Sequence, residues 1–266
     1  MIKQYFAAFY VRRPLRAGFT GLFAALFLLA VPHNAAYAEG ALERSDIEEI
    51  VRDYLLENPE VIVEALEAFE RKQQQAAVEQ RRLALQDQRN VLVDGEHQVV
   101  MGNPDGDVTM IEFFDYNCGF CRRAWPDVER LVENDPNLKI VLKEFPVLGE
   151  GSVGAARVAI AAAKVDEKRY LDLHRSFLSA RATLDEESAM VLAKREGFDE
   201  AELRTIMDSP LVESAIGEVY GLANALGLTG TPTFIIGEEI LPGAVGFDVL
   251  KEKIESMRQC GQTICS

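Results

Sequence analysis

Two cysteines three positions apart, Cys118 and Cys121, stand where a strand-like run of sequence gives way to a helix-like one. Residues 108–116 are apolar in the manner of a buried strand, and residues 122–134 have the charge pattern of an amphipathic helix. The first thiol of such a pair lies at the helix N-terminus, where unpaired N–H groups and the positive end of the helix dipole stabilise a thiolate. The stretch EFFDYNCGFC therefore predicts a reactive dithiol at a strand–helix junction.

The two thiols are predicted to have different roles. Cys118 lies just ahead of the helix and is the expected nucleophile, with Arg122 and Arg123 adding positive charge nearby. Cys121 lies one turn further on and is the expected resolving thiol, so that the pair can close into a redox-active disulfide and exchange with disulfides of other proteins. The alternatives are half of a zinc site or a Cu(I) clamp, because thiolates also bind these two metals, or an inert structural disulfide.

The first 38 residues predict export. A basic region that includes Arg12 and Arg13 precedes an apolar stretch at about residues 17–31, and Ala36-Tyr37-Ala38 has the pattern of a signal-peptide cleavage site. The apolar stretch is shorter than the roughly 20 residues of a membrane-spanning helix, which disfavours an uncleaved anchor. We expect cleavage after Ala38 and a periplasmic protein.

The remaining chain is strongly acidic. The full sequence has a formal charge of −15, and its first 38 residues hold four basic and no acidic residues, so residues 39–266 carry −19. Nucleic acid and anionic membrane surfaces are therefore poor partners.

Two further cysteines, Cys260 and Cys265, enclose GQTI at the C-terminus. An even number of cysteines in an exported chain suggests two disulfides, and four cysteines allow three pairings. No helix start follows Cys265 to activate a thiolate, so we interpret this pair as a structural disulfide. A second redox pair or a metal-binding pair is the alternative.

Residues 39–92 predict an N-terminal helical segment. Ser45 with Glu48 has the pattern of a capping box, and Asn58-Pro59 separates two helices. Apolar residues at helical spacing form a stripe that needs a partner. We interpret this segment as an oligomerisation element, with docking on the main domain as the alternative. The stripe begins with Ile47, Ile50, Val51, Tyr54 and Leu55.

Residues 93–266 predict the order strand, strand, helix, strand, helices, hairpin and helix, with the helical block at about residues 151–226. A strand–helix–strand unit that is interrupted by helices and completed by a hairpin and a helix implies an α/β domain. Its mixed sheet should be covered by helices on both faces.

These motifs in this order resemble the thioredoxin superfamily, and specifically its DsbA-like branch, which includes ScsC-type exported proteins. EFFDYNCGFC is similar to the family's strand and active site, Pro126 to a proline inside the active-site helix, and KEFP at residues 143–146 to the next strand. The resemblance implies a thioredoxin fold with a helical insertion at about residues 151–226.

The resemblance also implies further site residues. GTPTF at residues 230–234 is similar to a loop whose proline is cis and faces the dithiol, so Pro232 and Thr231 are expected to contact an extended client segment. Glu112 and Lys143 are charged residues within apolar strands. The resemblance suggests that Glu112 lies beneath the dithiol and handles protons for Cys121, with Lys143 close by; a structural ion pair is the alternative.

Phe120 stands between the thiols, where exposure would allow contact with an unfolded client. CGFC lacks the histidine of the oxidising CPHC sites and is one hydroxyl away from the CGYC of exported disulfide isomerases. We therefore interpret the chain as a thiol–disulfide oxidoreductase that isomerises disulfides in cysteine-containing exported proteins. A dithiol oxidase and a copper-handling protein are the alternatives. A membrane redox partner is expected, and no cofactor or metal.

Overall fold

The computed structural model describes residues 43–265, so the predicted signal peptide and its cleavage site after Ala38 lie outside the described residues. The chain forms two units, which divide between residues 62 and 63. Helix α1 (Arg44–Glu57) lies in the first unit, and helix α2 (Glu60–Asp87) begins in it. Within the described part of the chain, no helix has both the length and the apolar composition that crossing a membrane requires.

The first turn of α1 differs in detail from the sequence prediction. The carboxylate of Asp46 accepts the backbone N–H of Glu43 at 3.1 Å, so the cap is formed earlier than the predicted pair of Ser45 and Glu48. The apolar side chains of α1 point to solvent: Ile47, Ile50, Val51 and Tyr54 are all about half exposed.

The second unit contains a five-stranded mixed sheet in the order β1, β3, β2, β4, β5. Strand β2 pairs in parallel with β3, and the other neighbouring strands are antiparallel. This arrangement confirms the predicted α/β fold with helices on both faces. The strands are β1 (Val99–Gly102), β2 (Val108–Phe114), β3 (Leu138–Glu144), β4 (Thr233–Ile236) and β5 (Glu239–Pro242).

Five helices follow β3 and form the helical insertion, which matches the predicted block. They are α5 (Glu150–Val165), α6 (Glu167–Leu178), α7 (Glu186–Arg195), α8 (Glu200–Met207) and α9 (Pro210–Leu226). Helix α4 (Gly119–Asn134) connects β2 to β3 and contains Pro126, and helix α10 (Phe247–Cys260) follows β5. The main core lies between one face of the sheet and helices that include α4, α5, α6 and α10.

The opposite face of the sheet is covered by the end of α2, by α3 (Arg89–Asp94) and by α9. Leu85 and Leu92 are buried there against Ile111 and Phe113. The domain boundary that the sequence predicted near residue 93 cuts through this packing. The apolar spacing along α2 does not show which of its residues pack against the sheet. The sequence therefore could not predict that the last turns of α2 belong to the core of the second unit.

Candidate functional site

Cys118 is the N-cap residue of α4, and Cys121 lies within its first turn. The helix begins at Gly119, three residues before the predicted start. The prediction began later because Gly-Phe-Cys has no apolar periodicity from which a helix could be inferred. The backbone N–H of Cys118 donates to the carbonyl of Asp115 at 3.0 Å, and its carbonyl accepts the N–H of Arg122 at 3.1 Å. Both cysteines are free thiols, 6% and 1% exposed respectively.

The Cys118 thiol is acidic. A hydrogen bond from the Cys121 thiol is the main cause that lowers the pKa of Cys118 to about 5, aided by the Thr231 side chain and by the backbone N–H groups of Cys121 and Phe120, against partial burial. The predicted charge effect of the arginines is not among these main causes. Arg122 donates to backbone carbonyl groups, and the guanidinium of Arg123 lies 4.8 Å from the centre of the Phe120 ring.

Cys121 has the opposite character. Burial is the main cause that raises the pKa of its thiol, and the bond to Cys118 and the nearby Glu112 carboxylate act in the same direction. One thiol of the pair is therefore ionised at neutral pH while the other retains its proton.

We expect the alkylation rate of Cys118 to be nearly constant from pH 8 to pH 6 and to fall about tenfold per pH unit well below pH 5. The thiolate is the reactive species, and its fraction decreases only as the pH falls through the lowered pKa of about 5. Iodoacetamide labelling with peptide mass spectrometry measures this rate. A rate that already halves between pH 9 and pH 8 would show an ordinary thiol.

The loop before β4 contacts the dithiol. The Cys118 thiol lies 3.1 Å from the carbonyl oxygen of Thr231, and the Thr231–Pro232 peptide bond is cis. Pro232 is buried, and its carbonyl accepts the N–H of Gly243 at 2.7 Å. The structure thus brings together Cys118, Cys121, Thr231 and Pro232, as the sequence predicted.

Glu112 lies on the inner face of β2, on the side of the sheet that α4 covers. The residue is 1% exposed, and its carboxyl Oε2 has no hydrogen-bond partner among the described residues. Burial raises its pKa to about 8. A carboxyl group with this pKa, close enough to influence Cys121, is suited to accept a proton near neutral pH.

Replacing Glu112 by glutamine is expected to slow resolution by Cys121 more than attack by Cys118. In the wild type, the resolution rate should increase with pH as Glu112 ionises near its pKa of about 8, because only the carboxylate accepts a proton. The variant should lack this increase. Stopped-flow measurements of formation and decay of a mixed disulfide separate the two steps, and equal slowing of both would make Glu112 structural.

The same substitution has a consequence for stability. Because folding raises the pKa of Glu112 from 4.5 to about 8, the wild type loses stability as the pH rises through this range. The glutamine of the variant cannot ionise, so the free energy of unfolding of the wild type should fall relative to that of the variant by about 3 to 5 kcal/mol between pH 5 and pH 9. Urea unfolding at pH 5 and pH 9 measures the difference.

Lys143 lies on the other face of the sheet, which corrects the prediction that it is close to Glu112. In the parallel pairing of β2 with β3, Lys143 is in register with Phe113, and Glu112 is in register with Leu142. Side chains alternate between faces, so Lys143 and Glu112 point to opposite sides. The Nζ atom of Lys143 donates to the Val91 carbonyl at 2.9 Å.

An ion pair completes the environment of this lysine. Its Nζ lies 3.4 Å from Glu218 of α9, and the side chain is only 1% exposed. Burial lowers its pKa, while Glu218 opposes that change. Lys143 therefore connects α3, β3 and α9, away from the dithiol.

Phe120 is the exposed residue of the CGFC motif, with 55% of its surface accessible. Val147 and Leu148, just after β3, are also exposed large apolar residues. Their backbone N–H groups donate to the Asp115 carboxylate at 2.9 and 3.0 Å, so this loop is attached to the segment before Cys118. The sequence did not predict that it lies here.

The triplet Asp115-Tyr116-Asn117, which sequence reasoning passed over, is attached to the insertion by all three side chains. Asp115 accepts the hydroxyl of Ser152 at 2.8 Å. Tyr116 donates to Glu144 at 2.8 Å and lies 3.0 Å from Nδ1 of His174. Three polar residues that follow a buried strand and precede a CxxC are the signal that could have indicated this role.

Cys260 and Cys265 form a disulfide at the end of α10, with Cα atoms 6.0 Å apart. His174 is buried against the Trp125 ring, with ring centroids 4.7 Å apart. Residues 43–265 hold no cluster of three or more His, Cys, Asp or Glu side chains suited to a metal ion.

Two family models match different parts of the chain. The model of the DSBA-like thioredoxin domain matches residues 109–255, and that of the copper resistance protein ScsC N-terminal domain matches residues 43–76. The chain belongs to the DsbA-like thioredoxin family.

Among curated relatives, the thiol:disulfide interchange protein DsbA of Bordetella pertussis is 28% identical over 162 residues, covering 57% of this chain and 76% of that protein. The Na(+)/H(+) antiporter NhaA 1 of Salinispora arenicola is 24% identical over 166 residues. That alignment covers 62% of this chain but only 26% of the antiporter, so the chain spans about a quarter of the length of that relative.

Two solved structures illustrate the fold similarity. A thioredoxin-like oxidoreductase from Silicibacter pomeroyi DSS-3 has a TM-score of 0.62 and 38% identity, covering 65% of this chain and 98% of that one. ScsC of Proteus mirabilis in a compact conformation has a TM-score of 0.62 and 29% identity, covering 80% of this chain and 97% of that one.

Proposed function

We propose that this protein is a periplasmic thiol–disulfide oxidoreductase that isomerises disulfides in cysteine-containing exported proteins. The observation that carries the proposal is the asymmetric dithiol, in which the pKa of Cys118 is lowered to about 5 while burial raises that of Cys121. Membership of the DsbA-like family supports the reaction class. A relative from Salmonella enterica is described as a periplasmic thioredoxin-like protein, which supports the location.

The first step is attack by the Cys118 thiolate on a client disulfide. The client S–S bond breaks, one of its sulfur atoms bonds to Cys118, and the other leaves as a thiolate. That thiolate attacks a second disulfide of the client, and the client thiolate released there attacks the mixed disulfide. Cys118 leaves as a thiolate, and the client keeps the same number of disulfides in a new pairing. No net oxidation or reduction occurs in this cycle.

A second route releases clients that fail to rearrange. Cys121 gives its proton to the Glu112 carboxylate and attacks Cys118 in the mixed disulfide. The Cys118–Cys121 disulfide forms, and the client leaves with both of its sulfurs reduced. The protein is then oxidised by two electrons, so a membrane redox partner has to reduce it before the next cycle.

Clients are proposed to lie along Thr231 and Phe120. Thr231 contacts Cys118 through its carbonyl group, and Phe120 offers an exposed aromatic surface beside the thiols. An extended client segment can pair with the backbone at Thr231, which depends on main-chain bonds rather than on client sequence.

The isomerase direction rests on the CGFC sequence and on the N-terminal segment. The exposed apolar side chains of α1, together with the match of residues 43–76 to an ScsC N-terminal domain, support self-association of this segment. A homo-oligomer would surround one misfolded client with several dithiols. A dithiol oxidase of DsbA type remains the alternative direction.

Two refolding assays test the direction. The isomerase proposal expects recovery of activity from scrambled ribonuclease, with slower oxidation of reduced ribonuclease in the absence of an added oxidant. Efficient oxidation without recovery of the scrambled substrate would instead assign the dithiol oxidase function.

Copper handling is the second candidate, because residues 43–76 match a domain named for copper resistance and two free thiols lie together at the site. Thiolates are the ligands that Cu(I) prefers. Titration with Cu(I) under anaerobic conditions tests it. A copper clamp would bind one equivalent through Cys118 and Cys121 and would fail to rearrange scrambled ribonuclease.

A further inference from the structure

Asn117, directly before Cys118, pairs with the backbone of the insertion. Its Oδ1 accepts the N–H of Leu184 at 2.7 Å, and its Nδ2 donates to the Leu184 carbonyl at 2.8 Å. A second bond joins Nδ2 to the hydroxyl of Ser152 at 3.1 Å. The amide thus uses both of its ends on one residue that is 67 positions away, between α6 and α7.

Arg122, directly after Cys121, reaches the same loop. Its Nη2 donates to the Ala182 carbonyl at 3.0 Å, and its Nε donates to the Tyr116 carbonyl at 2.9 Å. Nη2 also lies 3.4 Å from Oδ1 of Asn117. Within residues 43–265, no carboxylate lies within ion-pair distance of this guanidinium.

We propose that Asn117 and Arg122 are positioning residues that hold the CGFC turn against the backbone of residues 182–184. We call this arrangement, made of the two side chains and that backbone, the insertion clamp. The clamp binds the residue before the first cysteine and the residue after the second. It therefore fixes the orientation of the first turn of α4 relative to the insertion. The inference rests on the proposed function of Cys118 as the nucleophile.

The clamp has a chemical consequence for Cys118. Its thiolate depends first on the thiol of Cys121, and then on the Thr231 side chain and the backbone N–H groups of Cys121 and Phe120, which belong to α4 and to the loop before β4. These donors stabilise the thiolate only while they stay aimed at the sulfur. The insertion therefore tunes the acidity of the nucleophile through two side chains that do not touch the sulfur themselves.

Arg123 provides a matched control. It carries the same charge one position further along, but its guanidinium packs on Phe120 at 4.8 Å rather than on the insertion. Arg122→Lys separates charge from geometry, because lysine keeps the charge and lacks the planar fork that binds two carbonyl groups.

The experiment compares the thiolate absorbance titrations and the alkylation rates at pH 5 of Arg122→Ala, Arg122→Lys, Asn117→Ala and Arg123→Ala. We expect the first three to raise the Cys118 pKa by about one unit. Alkylation at pH 5 would then be about fivefold slower, since the thiolate fraction falls from about a half to about a tenth. Arg123→Ala should stay within about twofold of the wild type. Urea unfolding of each variant reports stability separately.

Two results would overturn the clamp. Variants that are less stable but titrate like the wild type would show a purely structural role, and an equal shift in Arg123→Ala would assign the effect to charge. Arg122→Lys keeps the length and charge of the side chain, so it decides the question where an alanine variant fails to fold. If Cys118 of the wild type is not the thiol alkylated first, the proposed function fails instead, before any variant is compared.

Discussion

Replacing Cys118 by serine is expected to reduce disulfide exchange to the uncatalysed background, whatever the client. The serine hydroxyl is not ionised at neutral pH and cannot form the mixed disulfide through which every proposed route proceeds. Recovery of scrambled ribonuclease in a glutathione buffer measures the loss. The matched control is the double variant Cys260→Ser, Cys265→Ser, which removes the disulfide at the end of α10 and should keep the activity.

Cys121→Ser is the complementary variant and should trap clients. Cys118 keeps its attacking thiolate, but no second thiol releases clients that fail to rearrange, so mixed disulfides accumulate. Non-reducing electrophoresis followed by mass spectrometry should locate these bonds at Cys118. Adducts on Cys121 in the Cys118→Ser variant, formed at a similar rate, would contradict the assigned roles.

Removal of residues 39–76 has the second large expected effect, loss of most isomerase activity with retention of dithiol exchange. Several linked active sites raise the effective concentration of dithiols around one misfolded client, and a monomer lacks this advantage. The cut after Ala76 follows the end of the ScsC-type match and leaves Leu85 and Leu92 in the core. Light scattering should show an oligomer for residues 39–266 and a monomer for residues 77–266.

A longer deletion, through Leu92, is the control for the position of the cut. It exposes Ile111 and Phe113 and removes the Val91 carbonyl that accepts from the buried Lys143 ammonium. The loss of two buried leucines should lower the free energy of unfolding by about 4 kcal/mol or more. A monomer formed by residues 39–266, or a cut after Ala76 that isomerises equally well, would contradict the link between self-association and isomerisation.

The parts of the site that could be predicted from sequence are those that local chemistry determines. The CxxC at a strand–helix junction indicates a thiolate at a helix N-terminus. The loop at Gly-Thr-Pro was expected only from the resemblance to a known family. Cys118 and Thr231 are distant in sequence, yet the strand order brings them to 3.1 Å. The resemblance to a known family supplied that step.

The rest depends on register and on long-range packing. Lys143 and Glu112 look equivalent in sequence, but a pairing of Lys143 with Phe113 sends them to opposite faces of the sheet. The hydrogen bond between Asn117 and Leu184 joins residues that are 67 positions apart, and no local sequence pattern predicts that they meet. Leu85 is likewise one of many apolar residues in a long helix. Only the structure shows that it is buried against the sheet.

The most direct test of the dithiol is its equilibrium with glutathione. After incubation at a series of glutathione potentials, alkylation and intact-mass measurement count the free thiols of the mature chain. The account predicts one cooperative loss of two thiols, Cys118 and Cys121, with a midpoint between about −120 and −230 mV, within the range of thiol–disulfide oxidoreductases. Two thiols that stay reduced at every potential, or that form separate glutathione adducts without a Cys118–Cys121 disulfide, would contradict it.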